Sequence, residues 1–157
     1  KKKFTNITRA KDDFHVIATT YSGNAHMINI SKGEIEKSIK IGNDAANILG
    51  QCSDLSLVIR SGNNIKIVNC NSGEVRFNLT TNDPPTSIHY NSDHRLLTIG
   101  FESGVVECYK MDLIPKKIYS YIVTPGHEIY IASAANGKAV IAAANDGSIK
   151  VLAVGKE

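Results

Sequence analysis

An all-β chain made of four copies of one antiparallel, four-stranded unit is what the sequence predicts, on three observations. Small-residue turns recur just before short apolar runs, at Ser22-Gly23, Ser61-Gly62, Ser103-Gly104 and Asp146-Gly147, with the glycines 39, 42 and 43 residues apart. A second marker keeps the same period: Ser31-Lys32-Gly33-Glu34 and Asn71-Ser72-Gly73-Glu74 are 40 apart. Between the turns stand runs rich in Val, Ile, Thr and Tyr, bounded by Gly, Asn, Asp and Ser, the pattern of strands. A unit of about forty residues cannot bury its own apolar face, so each must stack on a neighbour.

Taken in order, Phe4 to Ala10 is the first strand of the first repeat, followed by Phe14 to Thr20, Ala25 to Ile30 and Ile35 to Ile41. Tyr21-Ser22-Gly23-Asn24 and Ser31-Lys32-Gly33-Glu34 are its hairpin turns, where glycine supplies the positive φ that such turns need. The second repeat reads Ala46 to Cys52, Leu55 to Arg60, Ile65 to Cys70 and Val75 to Leu79. The third reads Thr86 to Tyr90, Arg95 to Phe101, Val105 to Lys110 and Lys117 to Val123. The fourth gives Ile129 to Ser133, Ala139 to Ala144 and Ser148 to Val154, one strand short. Alanine-rich Ala132 to Asn145 has helical propensity, but the Asn136-Gly137 hairpin signal and the repeat register favour strands there. The repeats run over about 4–42, 43–80, 81–123 and 124–157.

Four-stranded meanders at this period are the sequence form of β-propeller blades. The third strands resemble the WD-repeat family. In Ile65-Lys66-Ile67-Val68-Asn69-Cys70-Asn71-Ser72-Gly73-Glu74, Val68-Asn69 stands where the family has Trp-Asp ahead of a Thr-Gly-Glu-type turn. Ile28-Asn29, Tyr109-Lys110 and Leu152-Ala153 stand there in the other repeats. The fourth repeat, with Gly126-His127 and then Asn145-Asp146-Gly147-Ser148-Ile149-Lys150-Val151, is the most similar. In the family a Gly-His, a turn Asp and the strand Trp form a hydrogen-bonded network; here only His127 and Asp146 match, and the chain has no Trp. The resemblance spans nearly all 157 residues through spacing and turn residues more than through signature side chains. It implies one partial propeller domain over 1–157, an incomplete ring of blades. An open ring exposes an apolar blade face and strand edges, so completion by more of the same chain, by a partner or by a second copy is expected. A quinoprotein-type propeller is the nearest rival fold, though Trp is missing for that family too.

Composition bounds the function loosely. Hydrophobic residues make up 42% and charged ones 21%, ordinary for a globular chain. A net charge of +3 is too mild to argue for nucleic acid, and Lys1 to Lys3, Arg9, Lys11, Lys116 and Lys117 are scattered. No apolar stretch approaches the ~20 residues that span a bilayer. Cys52, Cys70 and Cys108 are odd in number and widely spaced, without a Cys-x-x-Cys, so no zinc ribbon is expected, and reduced thiols fit a cytoplasmic or nuclear location. Sequons at Asn6, Asn29 and Asn78 have no signal peptide to support them.

Catalytic motifs are missing from the sequence: no Gly-x-Ser-x-Gly, no phosphate-binding Gly-Lys-Ser/Thr loop and no His-Glu-x-x-His. His15 and His26, on neighbouring strands of one unit, could approach each other, yet no third ligand follows in register. Asp12-Asp13 reads as turn chemistry and His127 as a stabilising hydrogen-bonder. Neither an enzyme, a metal nor a cofactor is expected. The predicted function is a non-catalytic scaffold for protein–protein interaction within a larger intracellular complex; the alternative is a quinoprotein-type propeller enzyme or cofactor-binding domain. The resemblance implies that loops between second and third strands share a face with those joining blades. That face offers Tyr21, Arg60, Asn63, Asn64, Phe101 and Glu102 from tight turns, and Asn82 and Asp83, followed by Pro84 and Pro85, from a connection. Thr124 and Pro125 belong to another connection. Tyr21 and Phe101 are the expected anchors and Arg60 their polar companion, as aromatic and Arg side chains dominate binding hot spots, with the alternative that Phe101 simply ends its strand inside the core.

Overall fold

The computed structural model describes residues 3–10, 14–53, 56–91, 93–112, 114–133 and 139–153. Asp12-Asp13, the Asn136-Gly137 turn, Lys1, Lys2 and Lys11 lie outside them, and the Cys52 side chain is likewise not described. Every described element is a strand, and each begins and ends within one residue of its predicted run. No helix among the described residues is long and apolar enough to cross a membrane.

The chain divides into two compact units, Lys1–Asn82 and Asp83–Glu157. The first holds two antiparallel meanders. One is β1 (Phe4–Arg9), β2 (His15–Thr20), β3 (Asn24–Asn29) and β4 (Glu34–Lys40); the other is β5 (Ala46–Ser53), β6 (Ser56–Ser61), β7 (Asn64–Asn69) and β8 (Val75–Thr80). The second unit holds β9 (Pro85–Asn91), β10 (Leu96–Phe101), β11 (Val105–Lys110) and β12 (Lys116–Ile122), followed by a sheet of β13 (Ile129–Ser133), β14 (Ala139–Ala144) and β15 (Ile149–Ala153). In every sheet, spatial order is sequence order, as tight turns between consecutive strands require.

Each unit buries its core between its two sheets. In the first, Ile17, Ala25, Met27 and Ile39 meet Leu57, Ile59, Val68 and Cys70. In the second, Val106 and Val123 meet Ile129, Ala142 and Ala144, with Leu96 and Cys108 against Val140 beside them. Apolar area removed from water at these faces is the main force stacking sheet on sheet. The fourth strands face outward: all of β4 but Ile39 is exposed, and β12 is exposed apart from Tyr119. The middle strand β10 is buried along its whole length.

Innermost strands are joined by polar side chains as well. The Thr5 hydroxyl donates to the Ala46 carbonyl, and Asn6 Oδ1 accepts the Ile48 N–H at 3.2 Å. In the second unit the Thr86 and Ser87 hydroxyls both donate to the Ile129 carbonyl, and Ser87 Oγ accepts the Ile131 N–H at 2.9 Å. Edge strands would otherwise leave those backbone groups without protein partners.

Candidate partner-binding face

Among the described residues, turns that follow the second strand of a sheet are tied down on both sides in β1–β4 and β9–β12, and on one side by backbone bonds in the other two sheets. Toward the connection leaving the sheet, the Gly23 carbonyl accepts the N–H groups of Ile41 and Gly42 at 2.9 and 3.3 Å. The Asn63 carbonyl likewise accepts the Thr81 N–H and hydroxyl, both at 2.9 Å, and the Gly104 carbonyl accepts the Val123 N–H at 2.9 Å. Toward the segment entering the sheet, the N–H groups of Tyr21, Glu102 and Asn145 donate to the carbonyls of Lys3, Pro84 and Glu128 at 3.0, 3.1 and 3.1 Å. Turn, entry and exit thus form one backbone-bonded cluster at one end of β1–β4 and of β9–β12. Such a cluster presents its side chains with little freedom left to lose on binding.

In the first unit this end carries Tyr21, Arg60, Asn63, Asn64 and Asn82. Tyr21 is 62% exposed on a turn held by the Asn24 amide, which donates to the Ser22 hydroxyl and carbonyl at 3.0 and 3.3 Å, and by Lys40 Nζ, 2.9 Å from the same carbonyl. Arg60 is half-buried on β6, opposite Asn47 and Ile65. Asn63 and Asn64 are half-buried and spend polar groups on the fold, Asn64 Oδ1 accepting the Thr80 hydroxyl at 3.0 Å. Asn82 is exposed.

In the second unit Asp83 and Glu102 are brought together. Asp83 Oδ2 accepts the Ser103 N–H at 2.7 Å, one residue beyond the exposed Glu102. Phe101 departs from the expectation of an exposed anchor: it is 3% exposed and stands opposite Pro85. Phe101 is covered like the rest of β10, which is buried on every residue. Thr124 meets Ser148 hydroxyl to hydroxyl at 2.9 Å, and Pro125 is exposed.

The histidines have separate partners. His15 Nε2 lies 2.8 Å from Glu36 Oε2, whereas His26 Nδ1 is 2.7 Å from Ser38 Oγ. Among the described residues no three His, Cys, Asp or Glu side chains cluster as metal ligands. His127 Nδ1 is 3.0 Å from Asn145 Oδ1, while Asp146 accepts the Ser148 N–H at 2.8 Å. That hydroxyl and N–H of Ser148 hold the Asp146 carboxyl below the usual range, with the nearby His127 adding to the effect. The turn Asp thus serves its own hairpin, and the His turns to its neighbour Asn.

Sequence reasoning missed three polar arrangements. At the Val68-Asn69 position, Asn69 Oδ1 accepts the N–H groups of Asn71 and Ser72, each at 2.9 Å, and Asn29 Oδ1 accepts that of Lys32 at 3.0 Å. Asn at this position caps the turn that follows. Glu36 gathers His15, Asn29 and Lys32, and the first of these contacts chiefly lowers its pKa. Glu107 accepts the Tyr109 hydroxyl at 2.5 Å and Lys117 Nζ at 2.9 Å, and burial together with Glu107 pushes the Tyr109 phenol upward. The Cys108 thiol is fully buried, takes a Thr98 hydroxyl at 3.6 Å and is pushed up by burial, the opposite of a reactive thiolate. Strand register brings the partners of Glu36 and Glu107 together, and turn closure those of Asn29 and Asn69.

No protein-family model and no curated protein sequence matches the chain. Solved structures do. The computationally designed Ika4 protein aligns at a TM-score of 0.80 and 15% identity, over 99% of this chain and 93% of that one. A chain of the mitotic checkpoint complex aligns at 0.79 and 12%, over 98% of this chain and 49% of that one. The Cps50 (Swd1) β-propeller domain of Myceliophteria thermophila aligns at 0.79 and 14%, over 99% of this chain and 55% of that one. The chain thus spans about half the length of the latter two. At these identities the likeness speaks for the fold: the four sheets are those of a divergent β-propeller.

Proposed function

We propose that this chain is a non-catalytic scaffold which holds a protein or peptide partner within a larger intracellular assembly, cytoplasmic or nuclear, by the turn-bearing end of its sheets. The observation that carries the reading is Tyr21: a large aromatic side chain, 62% exposed, on a turn whose backbone is bonded on both flanks. A rigid, exposed aromatic loses little entropy on binding and buries much apolar area. Arg60 and Asn82 supply polar groups among the turn and connection residues of the same unit; Asp83 and Glu102, on the second unit, are acidic candidates in their own right. Phe101 leaves the list of anchors because it is buried. The mitotic checkpoint likeness, a chain taken from a multi-protein complex, supports a protein partner. The competing reading, a propeller enzyme or cofactor-binding domain, has no comparable feature among the described residues.

The test is affinity purification of the natural full-length protein under native conditions, followed by quantitative mass spectrometry, for wild type and for the Tyr21→Ala/Arg60→Ala variant. Partners should fall at least tenfold in the variant while its melting temperature stays within a degree or two. An unchanged set of partners in a folded variant would overturn this choice of face. Nucleic-acid binding would announce itself instead by a steep fall of affinity with salt.

A further inference from the structure

The two units of the chain differ in charge. Residues 1–82 hold eleven Lys and Arg against seven Asp and Glu, whereas residues 83–157 hold seven against eight. In the first unit three ammonium groups gather at the seam between β1–β4 and β5–β8, and each meets a backbone carbonyl. Two of them cross it: Lys66 Nζ lies 2.7 Å from the Lys40 oxygen, and Lys37 Nζ 2.5 Å from that of Ser72. Lys40 Nζ turns back to the Ser22 oxygen at 2.9 Å, beside Tyr21. Among the described residues no carboxylate stands within ion-pair distance of the three. Glu36, on the same strand as Lys37 and Lys40, is taken up by His15, Asn29 and Lys32. Asp44, in the connection between the sheets, has its carboxylate against Gly62.

The fold does not require all of these lysines. The bonds of Ile41 to Gly23, Thr81 to Asn63 and Val123 to Gly104 set the ends of three outer strands in one common relation to their turns. Counted back from those bonds, Lys40 corresponds to Thr80 and Ile122, and Lys37 to Phe77 and Tyr119. Lys66 does have a counterpart: Lys150 Nζ is 2.5 Å from the Val123 oxygen, so a lysine crossing the seam at that place belongs to the repeat. Lys37 and Lys40 are additions of the first sheet. An ammonium carries three donors, of which one carbonyl uses one. Lys40 and the half-buried Lys66, already fixed by a bond, keep charge and donors for an external carboxylate and have little freedom left to lose.

We propose that this seam, at its turn-bearing end, takes an acidic peptide segment of the protein partner, whose carboxylates meet Lys40 and Lys66 beside Tyr21, with Lys37 about 10 Å further along β4. The inference rests on the partner reading above and names the chemistry of that partner. Charge complementarity of this kind selects the partner and speeds its encounter. Both sheets that form the seam belong to one unit. Three ammonium groups and one exposed aromatic ring suit a short acidic segment with an apolar residue in it. A nucleic acid is a long polyanion, and the second unit has no basic excess to extend a footprint for it.

Selection of phage-displayed random dodecapeptides on the natural full-length protein tests it, followed by fluorescence polarisation with the most enriched sequence as a labelled synthetic peptide. Peptides rich in Asp and Glu beside an aliphatic or aromatic residue are expected. Lys40→Gln/Lys66→Gln should weaken the peptide about tenfold or more, and Lys40→Gln alone, at an exposed position, about threefold. Lys40→Arg/Lys66→Arg, which keeps both charges, should restore most of the affinity, and melting temperatures identify the folded variants. Neutral or basic peptides, an empty selection, or acidic peptides that bind folded lysine variants as well as wild type overturn the inference. So does an oligouridylate that binds more tightly than the peptide. The partner reading fails separately. Neutral peptides lost on Tyr21→Ala/Arg60→Ala would leave that face in place without its charge preference. Acidic peptides that depend on the lysines and ignore Tyr21→Ala would keep the lysine site and remove the anchor.

Discussion

The carbonyl oxygen of Thr124 fills the place where a Cβ on Gly104 would stand. Gly104 has φ +90°, and its own carbonyl holds the Val123 N–H, so turn and connection are packed backbone to backbone. Gly147 has nearly the same φ, +88°, but nothing within 4 Å of its Cβ position. Gly147→Ala should cost about 1 kcal/mol, the penalty for left-handed backbone. Gly104→Ala adds a collision with backbone that cannot give way, and about 3 kcal/mol or more is expected. Chemical denaturation of the two variants checks the order; equal losses would refute the backbone contact.

Asn69 is 5% exposed, and its Oδ1 accepts two N–H groups of the following turn. Asn69→Ala leaves both donors without that acceptor and should destabilise by about 1–3 kcal/mol. Asn69→Asp retains an acceptor and should keep most of the stability. Asn29, which accepts one N–H in the same role on a more exposed turn, should lose less on substitution by Ala. Thermal unfolding of the three variants gives the ranking.

The hydrogen bond of half-buried His127, through Nδ1, with Oδ1 of the exposed Asn145 at 3.0 Å makes His127→Ala a loss of about 0.5–1 kcal/mol. A double-mutant cycle with Asn145→Ala should then return a coupling above ~0.5 kcal/mol, as contacting residues do. Strict additivity would count against the bond. Asp146→Ala, whose hydrogen bonds go to Ser148 and which meets His127 only through charge, should couple to His127→Ala less strongly than Asn145→Ala does.

Glu36 has a folded-state pKa below the ordinary glutamate value of 4.5, chiefly through its hydrogen bond with His15 and then that with Asn29. A depressed carboxyl stabilises the fold above its unfolded pKa, and the contribution disappears as pH falls through the folded value. The melting temperature should therefore decline on acidification below about pH 4.5, and Glu36→Gln should flatten part of that decline. Side-chain NMR titration of Glu36 provides the direct reading; a midpoint at or above the ordinary value would refute the assignment.

Strand positions were legible in the sequence because turn glycines, asparagines and serines recur at a fixed period and bracket β-branched runs. β11, β13 and β14 coincide end to end with their predicted runs. Tyr21, Asn82 and Glu102 were legible as exposed turn and connection residues for the same local reason. Phe101 was not: the last residue of a strand can point to solvent or inward, and the packing of its neighbours decides which. Nor was the turn-capping role of Asn69, since its Oδ1 finds its donors only after the following turn closes.

By itself, then, the amino-acid order determined the repeating unit, the strand-to-strand hairpins and the need of each sheet for a neighbour, all of which follow from short-range turn chemistry and apolar alternation. Tertiary structure alone decided which apolar residues are covered. Ala25, Val106 and Ile149 occupy one position of the repeat, yet they are 0%, 0% and 68% exposed. Burial belongs to the sheet that lies on top, and nothing within a single repeat encodes whether that sheet is present.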